Sequence, residues 1–258
     1  VQSLPSMAKR AVGFTVRINA VNTPFAYKEI VTLVEKAGRH FDALVVPKVE
    51  DPGDIHFVSR LLDGIETAMG LDRKIRIEAC IETAKGIEAV SDIAKASSRL
   101  KSLAFGVADY SASIGARLTS LSGHGEDAKA YPGHQWHYPI SRMVAAAKAN
   151  ELLALDAPYG NFKDPEELKR SAKMAVALGC DGKWVIHPTQ IDIVNQVFAP
   201  TKEEIERSKK VLVAFKKVQD TGKGAIGVDG QMIDLATVRL ARQTWDQAVF
   251  LGLVKTDL

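Results

Sequence analysis

The chain has 258 residues, 46% hydrophobic and 25% charged, enough apolar content for a core in one large α/β domain or two small ones. A net charge of +3, with Lys and Arg spread among Asp and Glu, does not indicate a nucleic-acid partner. No apolar run approaches the ~20 residues of a membrane span.

Apolar runs of strand length alternate with helical patterns. The first run, AVGFTVRIN (11–19), is short and β-branched, and a helix follows over PFAYKEIVTLVEKAG, with Pro24 near its start and Gly38 as its stop. ALVVPKV (43–49) leads to the helix GDIHFVSRLLDGIETAMG, and KIRIEACIE (74–82) leads to GIEAVSDIAKAS. LKSLAFGVAD (100–109) is followed by a long irregular segment, 118–139, of the length that functional loops have. The helix YPISRMVAAAKAN, the strand LLALDAP (152–158), the helix DPEELKRSAKMAVALG with Asp164 as N-cap before Pro165, and the strand KWVIHP (183–188) complete the series. Repeated βα units with continuous apolar strands predict a parallel sheet. Six strands fit an open doubly wound sheet, or a (β/α)8 barrel with two βα units before residue 1; the chain opens on Val1. No glycine-rich dinucleotide fingerprint follows any strand. From residue 201 a charged helix, a TGKG link, a turn and a last helix predict an appended segment, 201–258, after a catalytic domain at 1–200.

Parallel α/β folds carry their active sites at the C-terminal ends of the strands. Arg17 and Asn19, Lys48 and Glu50, Glu82, Asp109, Asp156 and Tyr159, and His187 stand at the ends of the six runs in turn. Glu82 and Asp109, on neighbouring strands ~4.8 Å apart, can share one ion, and two carboxylates with waters and substrate oxygens suit Mg²⁺. The alternative is that each acid caps a helix or pairs with a Lys. Arg17 is either a clamp for a carboxylate or developing enolate, or a salt bridge to Glu82 or Asp109. Lys48 has the placement of a Schiff-base lysine, but Glu50 and Asp51 beside it would keep it protonated. His187 is an acid or base, or a satisfied core histidine. His124, His134 and His137, with Asp127 and Trp136, match no zinc spacing. Cys80 and Cys180 read as lone buried thiols, which suits a reducing compartment, the cytoplasm or, in a eukaryote, the mitochondrial matrix.

Together VRIN with Arg17, PKVE with Lys48, IET..GI with Glu82, FGVADY with Asp109, IHP.QI with His187 and G.MID with Asp234 resemble the citrate lyase β-subunit-like (HpcH/HpaI aldolase) superfamily. The stretches from RLTS through WHY, then DAPYGNFKDPE and GCDGKWVIHPTQI, are most similar to its malyl-CoA lyase branch. The resemblance implies a Mg²⁺-dependent (β/α)8 barrel, with Mn²⁺ as the alternative ion. Such a barrel makes or breaks a carbon–carbon bond between a CoA thioester enolate and an α-keto acid or aldehyde such as glyoxylate. It implies that Glu82 and Asp109 hold the metal and that Arg17 faces the thioester oxygen. Asp234, rather than Asp229, becomes the general base, reaching a neighbouring subunit from a C-terminal lid, so the protein self-associates as a trimer or hexamer. Lys48, Asp156, Tyr159 and His187 become substrate-binding residues. The family's usual LFVPG-like and LDLEDAV-like strands are not in the sequence, which implies that two βα units are missing. Other readings are a malyl-CoA thioesterase, an aldolase on free pyruvate, and a truncated, non-catalytic acyl-CoA-binding homologue.

Overall fold

The computed structural model describes residues 13–116, 135–219, 226–228 and 231–255. The chain divides into two compact units, Val1–Val194 and Asn195–Leu258.

The first unit is built on a six-stranded sheet, all parallel, in sequential order. The strands are β1 (Thr15–Arg17), β2 (Ala43–Val46), β3 (Arg76–Ile81), β4 (Leu100–Phe105), β5 (Leu153–Asp156) and β6 (Gly182–Lys183). The helices between them are α1 (Ala26–Ala37), α2 (Pro52–Met69), α3 (Ala84–Ile93), α4 (Val107–Ser113), α5 (His137–Ala149) and α6 (Pro165–Ala177). Every crossover returns to the neighbouring strand, which is the order of a barrel wall; a doubly wound sheet reverses its order partway across. The core lies where amphipathic helices meet the sheet. Ile30 and Val34 of α1, Ile55, Val58 and Leu62 of α2, and Ile87 and Val90 of α3 are buried with Leu44, Ile77 and Ile81.

Side chains on the other face follow the strand register. Arg17, Val45, Glu78 and Ser102 share one row, and Cys80, Ala104 and Leu155 occupy a row nearer the strand ends. One step further on the same alternation come Glu82 and Gly106. The register shifts between Ile77 and Glu78, where Lys101 is the extra residue on β4.

Local chemistry fixes the helix starts. Asp51 caps α2 with a reciprocal capping box to Asp54, Thr83 caps α3 through Gly86, and Asp164 caps α6 through the amide of Glu167 at 3.0 Å. At the opposite end of the sheet, buried Arg99 forms a two-pronged pair with buried Glu66 and also donates to Asp63.

Several boundaries differ from the sequence reading. The fourth strand stops at Phe105, and Asp109 sits in the first turn of α4. Gly106 and Val107 turn the chain there, since an apolar sequence with small residues serves a buried helix as well as a strand. The sixth strand has two residues. After Trp184, whose amide still reaches the Asp156 carbonyl, the chain leaves the sheet for a 3₁₀ turn at Pro188–Gln190.

Helix α7 (Ile191–Phe198) spans the division between the units. The second unit holds α8 (Lys202–Gln219), the antiparallel pair β7 (Ile226–Val228) and β8 (Gln231–Ile233), and α9 (Leu235–Phe250). The sequence reading put only a turn before the last helix; the strands on either side of that turn are additional. Ile205, Leu212, Ile233, Ala241, Trp245 and Ala248 form this unit's own core. None of the described helices is long and apolar enough to cross a membrane.

Candidate metal and active site

The C-terminal ends of β1, β3 and β4 meet the loops after β5 and β6 around a cavity of about 610 Å³. Arg17, Glu82 and Asp109 line it on one side, and Asn161, Trp184 and Ile186 on the other.

Glu82 is the most enclosed of the charged groups that line the cavity, at 4% exposure. The alternation that buries Ile77 and Ile81 against the helices turns Glu82 to the cavity side, and Gly106, directly after β4, makes room for it. A β-carbon at Gly106 would stand 2.4 Å from both Cβ and Oε2 of Glu82. Burial raises the Glu82 pKa; the Lys48 amide and the Arg17 charge act against that rise, and Asp109 adds to it. The Lys48 amide donates to Oε1 at 2.9 Å, and Arg17 Nη2 stands 3.7 Å from the same oxygen. Asp109 presents its carboxylate from the first turn of α4, where the helix N-terminus favours negative charge. Its Oδ1 is 3.0 Å from Lys48 Nζ.

Two carboxylates with opposing cations thus face one cavity. Among the described residues no group of three or more His, Cys, Asp or Glu could hold a metal. A pair of hard oxygen donors open to a cavity nevertheless fits Mg²⁺, which binds through one or two carboxylates and fills the rest of its shell with water and substrate oxygens. Zinc's four-ligand cages need more.

The structure brings Arg17, Lys48, Glu82 and Asp109 together. The acids next to Lys48 in sequence are engaged elsewhere: Glu50 faces Lys85 at 3.4 Å, and Asp51 caps α2. Asp156 is fully buried and accepts from Lys183 Nζ at 2.6 Å, and the same ammonium donates to the Ala157 carbonyl. Tyr159 is also buried, and its carbonyl accepts from Gln190 Nε2. His187 is half-buried, caps the 3₁₀ turn through Thr189 and stacks on Phe162 with ring centroids 4.6 Å apart. These three do not line the cavity; they hold the loops whose Pro158, Gly160, Asn161 and Ile186 do. Asp234 is in the second unit. It caps α9, with Oδ1 accepting from the amide and hydroxyl of Thr237, and these bonds hold its carboxyl below the usual range. Cys80 and Cys180 are free and buried, and burial pushes both thiols up, Cys180 to about 12. Asp229, His124, Asp127 and His134 lie outside the described residues.

Sequence reasoning missed Gly106 and Trp184. Gly106 in FGVAD was visible as a glycine directly after an apolar strand, a position where close approach is common. Trp184 shares the KWVIHP run with His187 and, with Ser102, hydrogen-bonds Glu78 beneath the cavity.

Residues 1–188 match the family described as HpcH/HpaI aldolase/citrate lyase. The L-malyl-CoA/β-methylmalyl-CoA lyase of Cereibacter sphaeroides is 35% identical over 244 residues, covering 92% of this chain and 77% of that protein. The solved citrate lyase of Burkholderia xenovorans superposes with a TM-score of 0.83 at 20% identity, covering 97% of this chain and 79% of that one. It shares the fold, a curled parallel sheet of half-barrel form with helices between the strands. The Mycobacterium tuberculosis citrate lyase β subunit complexed with oxaloacetate and magnesium has a TM-score of 0.56 at 26% identity, covering 72% of this chain and 73% of that one. With a cavity built on acids and an arginine at the strand ends, and a family match over most of its length, the chain belongs to the HpcH/HpaI aldolase/citrate lyase family of lyases.

Proposed function

We propose that this protein is a metal-dependent carbon–carbon lyase. It interconverts malyl-CoA, or a methylated analogue such as β-methylmalyl-CoA or citramalyl-CoA, with acetyl-CoA or propionyl-CoA and glyoxylate or pyruvate. The observation that carries the reading is the convergence of Glu82, Asp109 and Arg17 on one cavity at the C-terminal ends of the strands. The scaffold is of the (β/α)8 type, with residues 1–200 as the catalytic domain and 201–258 as the lid.

Glu82 and Asp109 would hold Mg²⁺, with Mn²⁺ as substitute. A bound divalent ion there supplies Lewis acidity and anchors the carboxylate of the keto acid. Arg17, half-exposed to the cavity, offers its guanidinium to the thioester oxygen as negative charge moves onto it in either direction. Asp234, supplied by a neighbouring subunit of a trimer or hexamer, is the general base. It takes the hydroxyl proton in cleavage and the acyl α-proton in condensation. Asp156, Tyr159 and His187 act on substrate through the loops they hold. The free thiols support a reducing compartment, the cytoplasm or a mitochondrial matrix.

The test is to mix purified protein with malyl-CoA and Mg²⁺, trap glyoxylate with phenylhydrazine, and repeat with EDTA. Metal-dependent glyoxylate release is expected. Free CoA without glyoxylate would replace the lyase by a thioesterase, and neither product would remove both. Asp234→Asn is expected to abolish turnover while leaving Mg²⁺ affinity unchanged; undiminished turnover would remove Asp234 as the base.

A further inference from the structure

Lys48 is one of two described non-glycine residues with positive φ, at 51°. A side chain in the left-handed region costs about 1 kcal/mol, and such strain persists where the surroundings impose it. Here the chain has just left β2, and both polar ends of one residue are used. The amide donates to Glu82 Oε1 at 2.9 Å, and the ammonium lies 3.0 Å from Asp109 Oδ1. The next amide, Val49, donates to the Cys80 carbonyl on β3, which fixes the turn against the strand that carries Glu82.

We infer that Lys48 is the positioning residue of the carboxylate pair. Its amide orients Glu82, and its ammonium competes with a divalent cation for Asp109. The inference rests on the metal reading above. The two halves of Lys48 do different work. The amide belongs to the backbone, so any residue but proline supplies it, and it leaves the cavity side of Glu82 open. The ammonium offsets the charge of Asp109, which would otherwise stand beside Glu82 as an uncompensated like charge. The Lys48 side chain is 48% exposed, so it has room to swing outward when a doubly charged ion takes the Asp109 oxygen. A monovalent cation in that position lowers metal affinity and keeps the two acids apart from each other's charge.

The test is Mg²⁺ binding by calorimetry and Mn²⁺ binding by electron paramagnetic resonance of the free ion. The proteins are the unsubstituted chain, Lys48→Met, Lys48→Gly and Lys48→Arg. Lys48→Met and Lys48→Gly keep the amide and remove the charge, and about three- to ten-fold tighter binding at low salt is expected, the gap narrowing toward 1 M salt. Lys48→Arg keeps the charge and is expected to bind as the unsubstituted chain does. Lys48→Gly also relieves the backbone strain, so it reports if Lys48→Met fails to fold. Equal or weaker binding by folded Lys48→Met or Lys48→Gly overturns the competing role alone. No binding of either ion to the unsubstituted chain overturns the metal reading and this inference with it.

Discussion

Gly106 shows how one missing atom places a carboxylate. Its φ of −113° is open to any residue, so the restriction is spatial: a methyl group would collide with Glu82 at 2.4 Å. Gly106→Ala is therefore expected to push Glu82 from its position, weaken Mg²⁺ binding at least about ten-fold and cost about 1–3 kcal/mol of stability. Calorimetry with a denaturant titration checks both effects; unchanged affinity would mean that Glu82 is not held by this contact. The position of the acid was legible in the sequence, as a Glu that ends an apolar strand, and Glu82 does line the cavity. The glycine was not, because its role depends on which strand lies beside it. Lys48 was misread for a related reason. The nearest acids in sequence, Glu50 and Asp51, looked like its partners, but the left-handed turn sends it to Asp109, 61 positions away, on the next but one strand's helix.

Among the elements, β3 carries the most information. Its helix-facing residues, Ile77 and Ile81, are uniformly apolar, while its other face runs Glu78, Cys80, Glu82. Glu78 is a buried acid with neutral partners, Ser102 at 2.6 Å and the Trp184 indole. Burial raises its pKa. A raised carboxyl pKa means that the folded state binds the proton more tightly than the unfolded state, so stability falls as pH rises through the ordinary Glu range toward the folded value. Glu78→Gln removes that charge and keeps an acceptor for both donors. It is expected to gain about 1 kcal/mol at pH 8 and little at pH 4, read from denaturant midpoints at the two pH values. A gain of the same size at both would assign the effect to packing. Strands β2, β4 and β5 were legible because apolar residues dominate them, a pattern that suits a doubly covered strand, whereas β6, only Gly182 and Lys183, offers no such run of its own. The β7–β8 pair was less so: three residues a side give no periodicity to read, although the Asp229-Gly230 pair between apolar runs is itself a hairpin signal.

For the molecule as a whole, the two units pose a question of cooperativity that metal binding can answer. Anything that binds only the folded state adds RT ln(1 + [L]/Kd), about 2.7 kcal/mol at a hundred-fold excess over Kd. Glu82, Asp109 and Lys48 all belong to the first unit, so that stabilisation enters there. Amides of β2, β3 and β4 that exchange only through unfolding of that unit are expected to slow about a hundred-fold in saturating Mg²⁺, and EDTA should reverse it. Helix α9 has its own core around Trp245, and its amides separate two outcomes. If the units unfold independently, α9 exchange is unchanged by Mg²⁺; if they unfold as one, α9 slows by the same factor. Independence is the expected result, because the second unit's buried cluster draws on its own residues alone. Hydrogen exchange followed by mass spectrometry reads both units in one experiment. Slowing confined to α9 would remove the metal from the strand ends, since no coupling can stabilise the second unit by way of a first unit that the ion leaves untouched.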